Sequence, residues 1–323
     1  MTIDVIENVA DSAMARAVAL AQNGAGHTRP NPPVGAVVVD MNGRIAGEGW
    51  HRRAGGDHAE VAALKDAGEK ARGSFVFVTL EPCSKRGRVG ACTSALIEAG
   101  VAGVRYAVMD PNPTNSGNAQ KILQEAGIDC EVFHGSDKIT AAAQELIRPF
   151  AKHVKTGMPF VTVKIAMSLD GKICDKDGNA RWISSESARE YTSGTLRERV
   201  DAIMVGAETV RKDDPSLLSH GAPNDDLVRV VISRSGKLPE KARIFTDGAP
   251  NKTLVYPDPR TALAELGKQD IMHVLCEGGL KLAVSMAEEG LVDEWKAVVA
   301  PKVIGGRPIT EATIIDRFEL IRG

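Results

Sequence analysis

Runs of apolar, β-branched residues alternate along this chain with segments whose apolar residues recur at helical spacing. The first pattern predicts buried strands bounded by turn residues, and the second predicts helices. In the first half, strands are predicted at 34–40, 45–50, 74–80 and 101–110, and helices at 10–22, 58–73, 92–100 and 119–127. In the second half, strands are predicted at 158–171, 201–206, 227–233, 252–257, 271–279 and 294–304, and a helix at 281–290.

Alternation of strands with helices is typical of an α/β layered sheet. A polar helical stretch at 141–157 separates two such alternating regions, and a new strand follows it. The chain has 323 residues, and at roughly 150 residues per domain this length suggests two domains. We therefore predict one domain at 1–150 and a second at 151–323.

Composition and charge exclude several classes of function. The net charge of −2 and the aromatic content of 4% argue against a nucleic-acid partner. The sequence has no apolar run long enough to span a membrane, and the acidic N-terminus lacks the basic region of a signal peptide. Five cysteines, an odd number in a long chain, favour reduced thiols and a cytoplasmic protein.

Three short motifs in the first half point to zinc chemistry. His58 and Glu60 lie at the start of a predicted helix, Cys83 follows a predicted strand within Glu-Pro-Cys, and Cys92 begins the next helix. One imidazole and two thiolates can bind zinc tetrahedrally and leave the fourth position to water, whose pKa zinc lowers to about 7. Glu60 could take that proton and deliver it to a leaving group. This pattern is typical of zinc-dependent deaminases.

Other interpretations of these residues are possible. A histidine at a helix start is often a cap, and two cysteines nine residues apart are often buried thiols without a ligand. A structural zinc would need a fourth protein ligand. The nearest candidates are Cys130, His51 and His27, and none has a close spacing to the others.

The second half contains a candidate nucleotide site. A predicted strand leads into Glu277, Gly278 and Gly279, and a helix follows. Two glycines let the backbone approach a phosphate closely, and a helix N-terminus favours an anion. The sequence has no G-x-G-x-x-G, so a Rossmann dinucleotide fingerprint is absent.

These motifs together resemble the bifunctional deaminase/reductase family of riboflavin biosynthesis. The segments TRPNPPVGAVVV, VTLEPCSKRGRVGAC and MDPNP resemble its deaminase half, and VTVKIAMSLDGKI, LRERVDAIMVGAETVRKDDPSLL and PKVIGG its reductase half. The resemblance implies a cytidine-deaminase-like, three-layer α/β/α first domain and a dihydrofolate-reductase-like α/β second domain. It also implies that zinc and NADPH are the cofactors, and that the chain is a homo-oligomer.

The resemblance assigns a role to each matching residue. In the first domain His58, Cys83 and Cys92 would hold zinc, Glu60 would be the general acid and base, and Asn31 would bind the pyrimidine. In the second domain the substrate would be lined by Lys164, Asp170, Arg197, Leu217 and Glu277. NADPH would be lined by Ala166, Trp182, Thr209, Asp213, Gly278 and Gly279.

One loop departs from the family pattern. Lys85 stands where the family usually has histidine, and Val89, Gly90 and Ala91 replace Thr-Pro-Pro. The resemblance implies deamination of 2,5-diamino-6-ribosylamino-4(3H)-pyrimidinone 5′-phosphate and then NADPH-dependent reduction of its ribosyl group to ribityl. The Lys85 loop leaves open another pyrimidine or pterin as substrate. Two further alternatives also stay open: a single active half, or a non-catalytic zinc-stabilised nucleotide-binding module.

Overall fold

The chain forms two compact units, Met1–Thr156 and Gly157–Gly323. The structure is a computed structural model that describes residues 2–84, 90–175, 183–220, 226–250, 252–305 and 318–321. The division falls after Thr156 and not after residue 150, because the last helix of the first unit continues to Thr156 before Gly157 turns the chain with φ +70°.

The first unit is one five-stranded sheet with helices on both faces. Its strands are β1 Gly35–Val39, β2 Ile45–Trp50, β3 Phe75–Leu80, β4 Gly103–Val108 and β5 Asp129–Val132. Its helices are α1 Thr2–Ala21, α2 Ala59–Ala67, α3 Cys92–Ala99, α4 Asn118–Glu125 and α5 Asp137–Thr156. The strand order is β2-β1-β3-β4-β5. β1 is antiparallel to β2 and β3, whereas the pairs β3/β4 and β4/β5 are parallel.

Side-chain alternation along the strands creates the three layers. Val76 and Val78 of β3 pack in a cluster with residues of α2, α3 and α4 on one face. Phe75 and Phe77 point to the opposite face, where they pack in a cluster with residues of α1 and α5. Successive residues of a strand face opposite sides of a sheet, so an uninterrupted apolar strand requires both helical layers.

The second unit is a seven-stranded sheet in which every described pairing is parallel. Its strands are β6 Phe160–Ser168, β7 Ala202–Gly206, β8 Val228–Ile232, β9 Thr253–Tyr256, β10 His273–Cys276, β11 Glu294–Ala300 and β12 Phe318–Ile321, in the order β12-β11-β6-β10-β7-β8-β9. Its helices are α6 Glu186–Tyr191, α7 Ala207–Asp213, α8 Arg243–Thr246, α9 Pro259–Gly267 and α10 Leu280–Glu288. A π-helical segment, Thr192–Leu196, continues α6.

The structure differs from the predicted elements at several ends. α1 begins at Thr2 and not at residue 10, and the strand predicted at 294–304 ends at Ala300. β5 and β12 were not predicted. None of the helices in the described parts of the chain is both long and apolar enough to cross a membrane.

Candidate functional sites

The three predicted metal ligands meet at one point of the first unit. His58 immediately precedes α2, Cys83 follows the end of β3, and Cys92 is the first residue of α3. The Nδ1 atom of His58 lies 3.2 Å from the Sγ atom of Cys92 and 3.5 Å from that of Cys83. The two sulfur atoms are 3.1 Å apart. The three elements thus bring one imidazole nitrogen and two thiols to a single centre.

This donor set has the composition and size of a zinc site. Zn–S bonds of about 2.3 Å and Zn–N bonds of about 2.0 Å in a tetrahedron place the ligand atoms roughly 3.5–3.8 Å apart. The two nitrogen–sulfur separations, 3.2 and 3.5 Å, are within a few tenths of an ångström of those values, whereas the sulfur atoms, 3.1 Å apart, are closer together than in such a tetrahedron. Across the described ranges, these three residues form the one group of three or more metal-ligating side chains. Three protein ligands, and not four, are the set that a catalytic zinc uses.

The charges of the two thiols support the same conclusion. The backbone N–H of Cys92 donates to the Sγ atom of Cys83 over 3.2 Å. Hydrogen bonds from the Cys92 thiol and from His58 lower the pKa of Cys83 to about 4. The same sulfur–sulfur contact, together with burial, raises the pKa of Cys92. Without a cation the pair therefore shares one negative charge, and a divalent metal is what lets both thiols ionise together.

Glu60 is a buried carboxyl beside this centre. It lies in the first turn of α2, two residues after His58, and only 3% of it is exposed. Burial raises the pKa of Glu60, and the nearby Cys83 raises it further. A raised pKa suits a carboxyl group that accepts and returns a proton.

A cavity of about 390 Å³ opens onto these groups. His58, Glu60 and Cys83 line it together with Asn31 and His51. Asn31, predicted to bind the pyrimidine, has its Nδ2 atom 3.0 Å from the Nε2 atom of His51. The volume is within the range of small-molecule sites, and apolar surface dominates the walls around a few polar groups.

His51 is a member of this site that the sequence suggested only as a possible extra zinc ligand. Its Nδ1 atom is 2.9 Å from the backbone oxygen of Asp57, which can only accept, so Nδ1 carries the hydrogen. Nε2 therefore accepts from the amide of Asn31. Both nitrogens of His51 are engaged away from the metal ligands. Burial lowers the pKa of His51, which keeps the ring neutral.

The sequence also did not predict a set of hydrogen bonds made by Glu81 and Asn115, which we call the latch. Glu81, 3% exposed, accepts the backbone N–H groups of Asp110, Gly117 and Ala119 at 3.0–3.2 Å. The side-chain oxygen of Asn115 accepts both the backbone N–H and the hydroxyl of Ser84. These contacts join the loop after β4 to the segment that carries Cys83.

The polar centre of the second unit lies at the carboxyl end of β10, beside the middle of β6. Arg197 donates from Nε and Nη2 to the two carboxylate oxygens of Glu277 over 2.7 and 3.0 Å. Burial alone would raise the pKa of Glu277, but Arg197 and Lys164 outweigh it and hold the pKa below its usual range. Burial lowers the pKa of Lys164 on β6. Three of the predicted substrate residues thus form one partly buried charged cluster.

Two other predicted substrate residues have structural contacts. Asp170 accepts the backbone N–H groups of Ile304 and Gly305 and the hydroxyl of Ser168, which lowers its pKa to about 2. It therefore fastens the loop after β11. The side chain of Leu217 is 2% exposed and packs in a core cluster, so any substrate contact of Leu217 would come from its backbone.

The residues predicted to line NADPH lie on several elements. Ala166 is on β6, Thr209 is in α7, and Asp213 is the exposed last residue of α7. Gly278 and Gly279 lie between β10 and α10. Trp182 lies outside the described residues.

The two glycines before α10 have different surroundings. A Cβ atom on Gly279, the residue that precedes α10, would meet nothing within 4 Å, whereas one on Gly278 would lie 2.7 Å from Leu282 Cδ2. Gly279 therefore leaves open space at a helix N-terminus, whereas Gly278 packs closely against the side chain of Leu282. The open space at Gly279 fits an anionic cofactor group.

Comparisons with known proteins agree with both halves of this description. Residues 7–108 match the zinc-binding region of cytidine and deoxycytidylate deaminases, and residues 159–320 match the RibD C-terminal domain. The riboflavin biosynthesis protein RibD of Mycobacterium tuberculosis is 41% identical over 96% of this chain and 90% of its own length. The chain belongs to the RibD family. RibD of Escherichia coli is 38% identical over 90% of this chain and 88% of its own length.

A solved structure extends the likeness to three dimensions. It is a Thermotoga maritima protein described as a diaminohydroxyphosphoribosylaminopyrimidine deaminase/5-amino-6-(5-phosphoribosylamino)uracil reductase. That structure superposes with a TM-score of 0.83 at 34% identity, over 93% of this chain and 88% of the other.

Family membership confirms several expectations drawn from the sequence. The fold class is confirmed for both domains, a cytidine-deaminase-like domain followed by a reductase domain. The chain is a bifunctional deaminase and reductase of riboflavin biosynthesis, and its cofactors are zinc and NADPH. The roles of individual residues remain predictions.

Proposed function

We propose that the first domain deaminates 2,5-diamino-6-ribosylamino-4(3H)-pyrimidinone 5′-phosphate and that the second reduces the ribosyl group of the product to ribityl. The observation that carries the deaminase half is the cavity in which a buried carboxyl adjoins a one-histidine, two-cysteine donor set. The description of the Thermotoga maritima relative names these two activities.

Zinc, held by His58, Cys83 and Cys92, would supply the acidity that turns water into a nucleophile near neutral pH. Glu60 would take the proton of that water and pass it to the ring nitrogen and then to the departing amine. Water adds its oxygen to the ring carbon, the carbon–nitrogen bond breaks, and ammonia leaves. The buried position of Glu60 favours this shuttle, because its carboxyl is stable in the protonated form between the two transfers.

Asn31 would orient the pyrimidine ring. Its amide group donates to the neutral Nε2 atom of His51, which fixes the amide orientation and makes its oxygen the remaining side-chain acceptor. A carbonyl acceptor at a set position suits a ring N–H or an exocyclic amine. His51 would thus act by holding Asn31, with its own ring held by the backbone oxygen of Asp57.

NADPH would supply the hydride for the reduction at C1′ of the sugar. Lys164, Arg197 and Glu277 would bind the sugar and its phosphate at the carboxyl ends of the strands, where parallel sheets place their ligands. The paired Arg197 and Glu277 offer fixed donors and acceptors, and the adjacent Lys164 adds a buried positive charge. Ala166, Thr209, Asp213, Gly278 and Gly279 would line the cofactor.

The first test is ammonia release from the diaminopyrimidine phosphate by the zinc-loaded full chain without NADPH. The Glu60→Gln variant should lose at least about a hundredfold in deamination rate, the usual range for a general acid and base. The same variant should bind zinc and should oxidise NADPH with the deaminated product at the wild-type rate. Deamination at the wild-type rate by this variant would remove Glu60 from the mechanism. No ammonia from the wild-type enzyme would redirect the search to other pyrimidines and to pterins.

We also propose that the enzyme is a cytoplasmic homo-oligomer with no nucleic-acid partner, as the sequence analysis suggested. Light scattering of the purified chain in solution measures its mass directly. A mass of a single chain at micromolar concentration would contradict the oligomer. Lys85 and Val89, where the loop departs from its family, lie outside the described residues.

A further inference from the structure

A short loop beside the proposed reductase site has an unusual backbone. Asp214 and Leu217 both adopt positive φ angles, +43° and +58°, although neither is glycine. Such conformations are costly for residues with a side chain and persist only where the surroundings enforce them. The loop that they bracket, residues 214–218, follows α7.

Four contacts enforce this conformation. The side chain of Asp214 accepts the backbone N–H of Arg243 over 2.7 Å. The guanidinium of Arg229 donates to the backbone oxygen of Ser216 over 3.1 Å. The side chain of Leu217 is buried in the core, and Arg197 Nη1 donates to the backbone oxygen of Leu218 over 2.8 Å.

The last of these contacts connects the loop to the proposed substrate site. Arg197 uses its Nε and Nη2 atoms on Glu277 and its Nη1 atom on Leu218. The carbonyl of Leu218 therefore helps to set the plane of the guanidinium. A single left-handed residue, Leu217, separates that carbonyl from the carbonyl of Ser216, which Arg229 holds.

Arg229 is itself held by a carboxylate, through the same Nη1 atom that donates to Ser216. Only 3% of its side chain is exposed, and its Nη1 atom donates to Asp247 Oδ2 over 2.6 Å. Asp247 follows the end of α8 and also accepts the backbone N–H of Ala249. A buried arginine with a short carboxylate contact has little freedom to move, so it is a rigid anchor for the Ser216 carbonyl.

We propose that Arg229, held by Asp247, is a positioning residue of the reductase site that acts through the 214–218 loop on Arg197. By fixing the Ser216 carbonyl it keeps Leu217 left-handed, and this directs the Leu218 carbonyl at Arg197. When Leu217 relaxes to a negative φ, that carbonyl turns away and the guanidinium loses one of its three supports. This inference rests on the proposed role of Arg197 in binding the substrate.

The test is a double-mutant cycle in the full-length, zinc-loaded enzyme. The variants are Arg229→Met, Arg197→Met and the double variant, and the readouts are KM and kcat for NADPH oxidation with the deaminated pyrimidine phosphate. Arg229→Met should raise KM about tenfold and lower kcat less. In the Arg197→Met background the same change should alter KM less than about twofold, because the residue it positions is gone.

Controls separate positioning from a general loss of structure. Deaminase activity of the same chains and NADPH affinity measured by fluorescence should stay within about twofold of wild type. Arg260→Met removes an exposed arginine–carboxylate pair of the same domain, with Glu289, and should leave KM unchanged. Asp247→Asn keeps Arg229 in place but loosens it, and should give a smaller rise in KM with the same lack of additivity.

The outcomes distinguish the two hypotheses. Two results would show that the positioning role is wrong while the substrate site stands. In the first, the KM effects of Arg229→Met and Arg197→Met multiply in the double variant. In the second, Arg197→Met raises KM, but Arg229→Met and Asp247→Asn both leave it unchanged. If Arg197→Met itself has the wild-type KM, the proposed substrate site is wrong and the positioning role fails with it.

Discussion

Replacement of Glu81 by glutamine tests whether the buried latch organises the deaminase cavity. Glu81 accepts three backbone N–H groups: its Oε2 atom takes those of Asp110 and Gly117, and its Oε1 atom takes that of Ala119. Glutamine has the same shape but only one acceptor oxygen. With that oxygen at the Oε2 position, the amide NH₂ group faces the N–H of Ala119, a donor against a donor.

The magnitude follows from these contacts. Two hydrogen bonds change from charged to neutral acceptors, which costs about 1 kcal/mol each. The third is lost, and the N–H of Ala119, a fully buried residue, is left without a partner at a cost of about 1–3 kcal/mol. The loop at 110–119 should therefore be less stable by about 3–5 kcal/mol, equivalent to at least a hundredfold in its opening equilibrium.

Amide hydrogen exchange of peptides that cover residues 109–120 measures this opening directly. Exchange there should be at least about a hundredfold faster in Glu81→Gln, and KM for deamination should rise, because Asp110 and Asn115 line the cavity. The matched control is Glu98→Gln on the exposed surface of α3, where exchange and KM should not change. Wild-type exchange in the Glu81→Gln loop would refute the latch, and faster exchange with unchanged KM would separate the latch from the substrate.

Two further predictions concern the metal and the packing of the first domain. Removal of zinc by a chelator should abolish ammonia release. NADPH oxidation with the deaminated product should stay intact, because Lys164, Arg197 and Glu277 belong to the second unit. Parallel loss of both rates would contradict this separation of the two activities. Gly35→Ala would place a Cβ atom 2.0 Å from the backbone oxygen of Ala17. Calorimetry should therefore show a loss of about 3 kcal/mol in the stability of the first domain. Gly194→Ala should be tolerated, because its Cβ atom would meet nothing within 4 Å.

The sequence predicted most of the central strands because their apolar runs are long. β3 is buried along its whole length, and its pattern identifies it without tertiary information. β5 was missed because it has four residues, of which Asp129 and Glu131 are exposed, so only Cys130 and Val132 carry an apolar signal. An edge strand that is held in place by hydrogen bonds to the neighbouring strand shows only a weak strand pattern in its own sequence.

The zinc donor set was predictable for a related reason. His58 and Cys92 lie at helix starts and Cys83 follows a strand, and such boundaries can be located from turn residues and periodicity. One imidazole and two thiols at such positions then favour zinc binding over other functions. The residues that hold this site in place were not predictable, because their partners are backbone atoms. Glu81 accepts main-chain N–H groups and His51 contacts a main-chain oxygen. Any residue can supply those atoms, so no pattern records them.

Buried acids of this chain show how one residue type serves different purposes. Glu81 is surrounded by three N–H donors, which suits a structural acceptor. Glu277 has the bidentate Arg197 and the nearby Lys164, which hold its pKa low, as suits its proposed role in binding. Glu60 is as deeply buried, but the dominant influence on it is loss of water, which raises its pKa. Burial thus raises the pKa of Glu60, whereas Arg197 and Lys164 hold that of Glu277 low, and a raised pKa suits a carboxyl that alternates between acid and base. The surroundings, and not the residue type, therefore favour Glu60 for the proposed role of proton carrier.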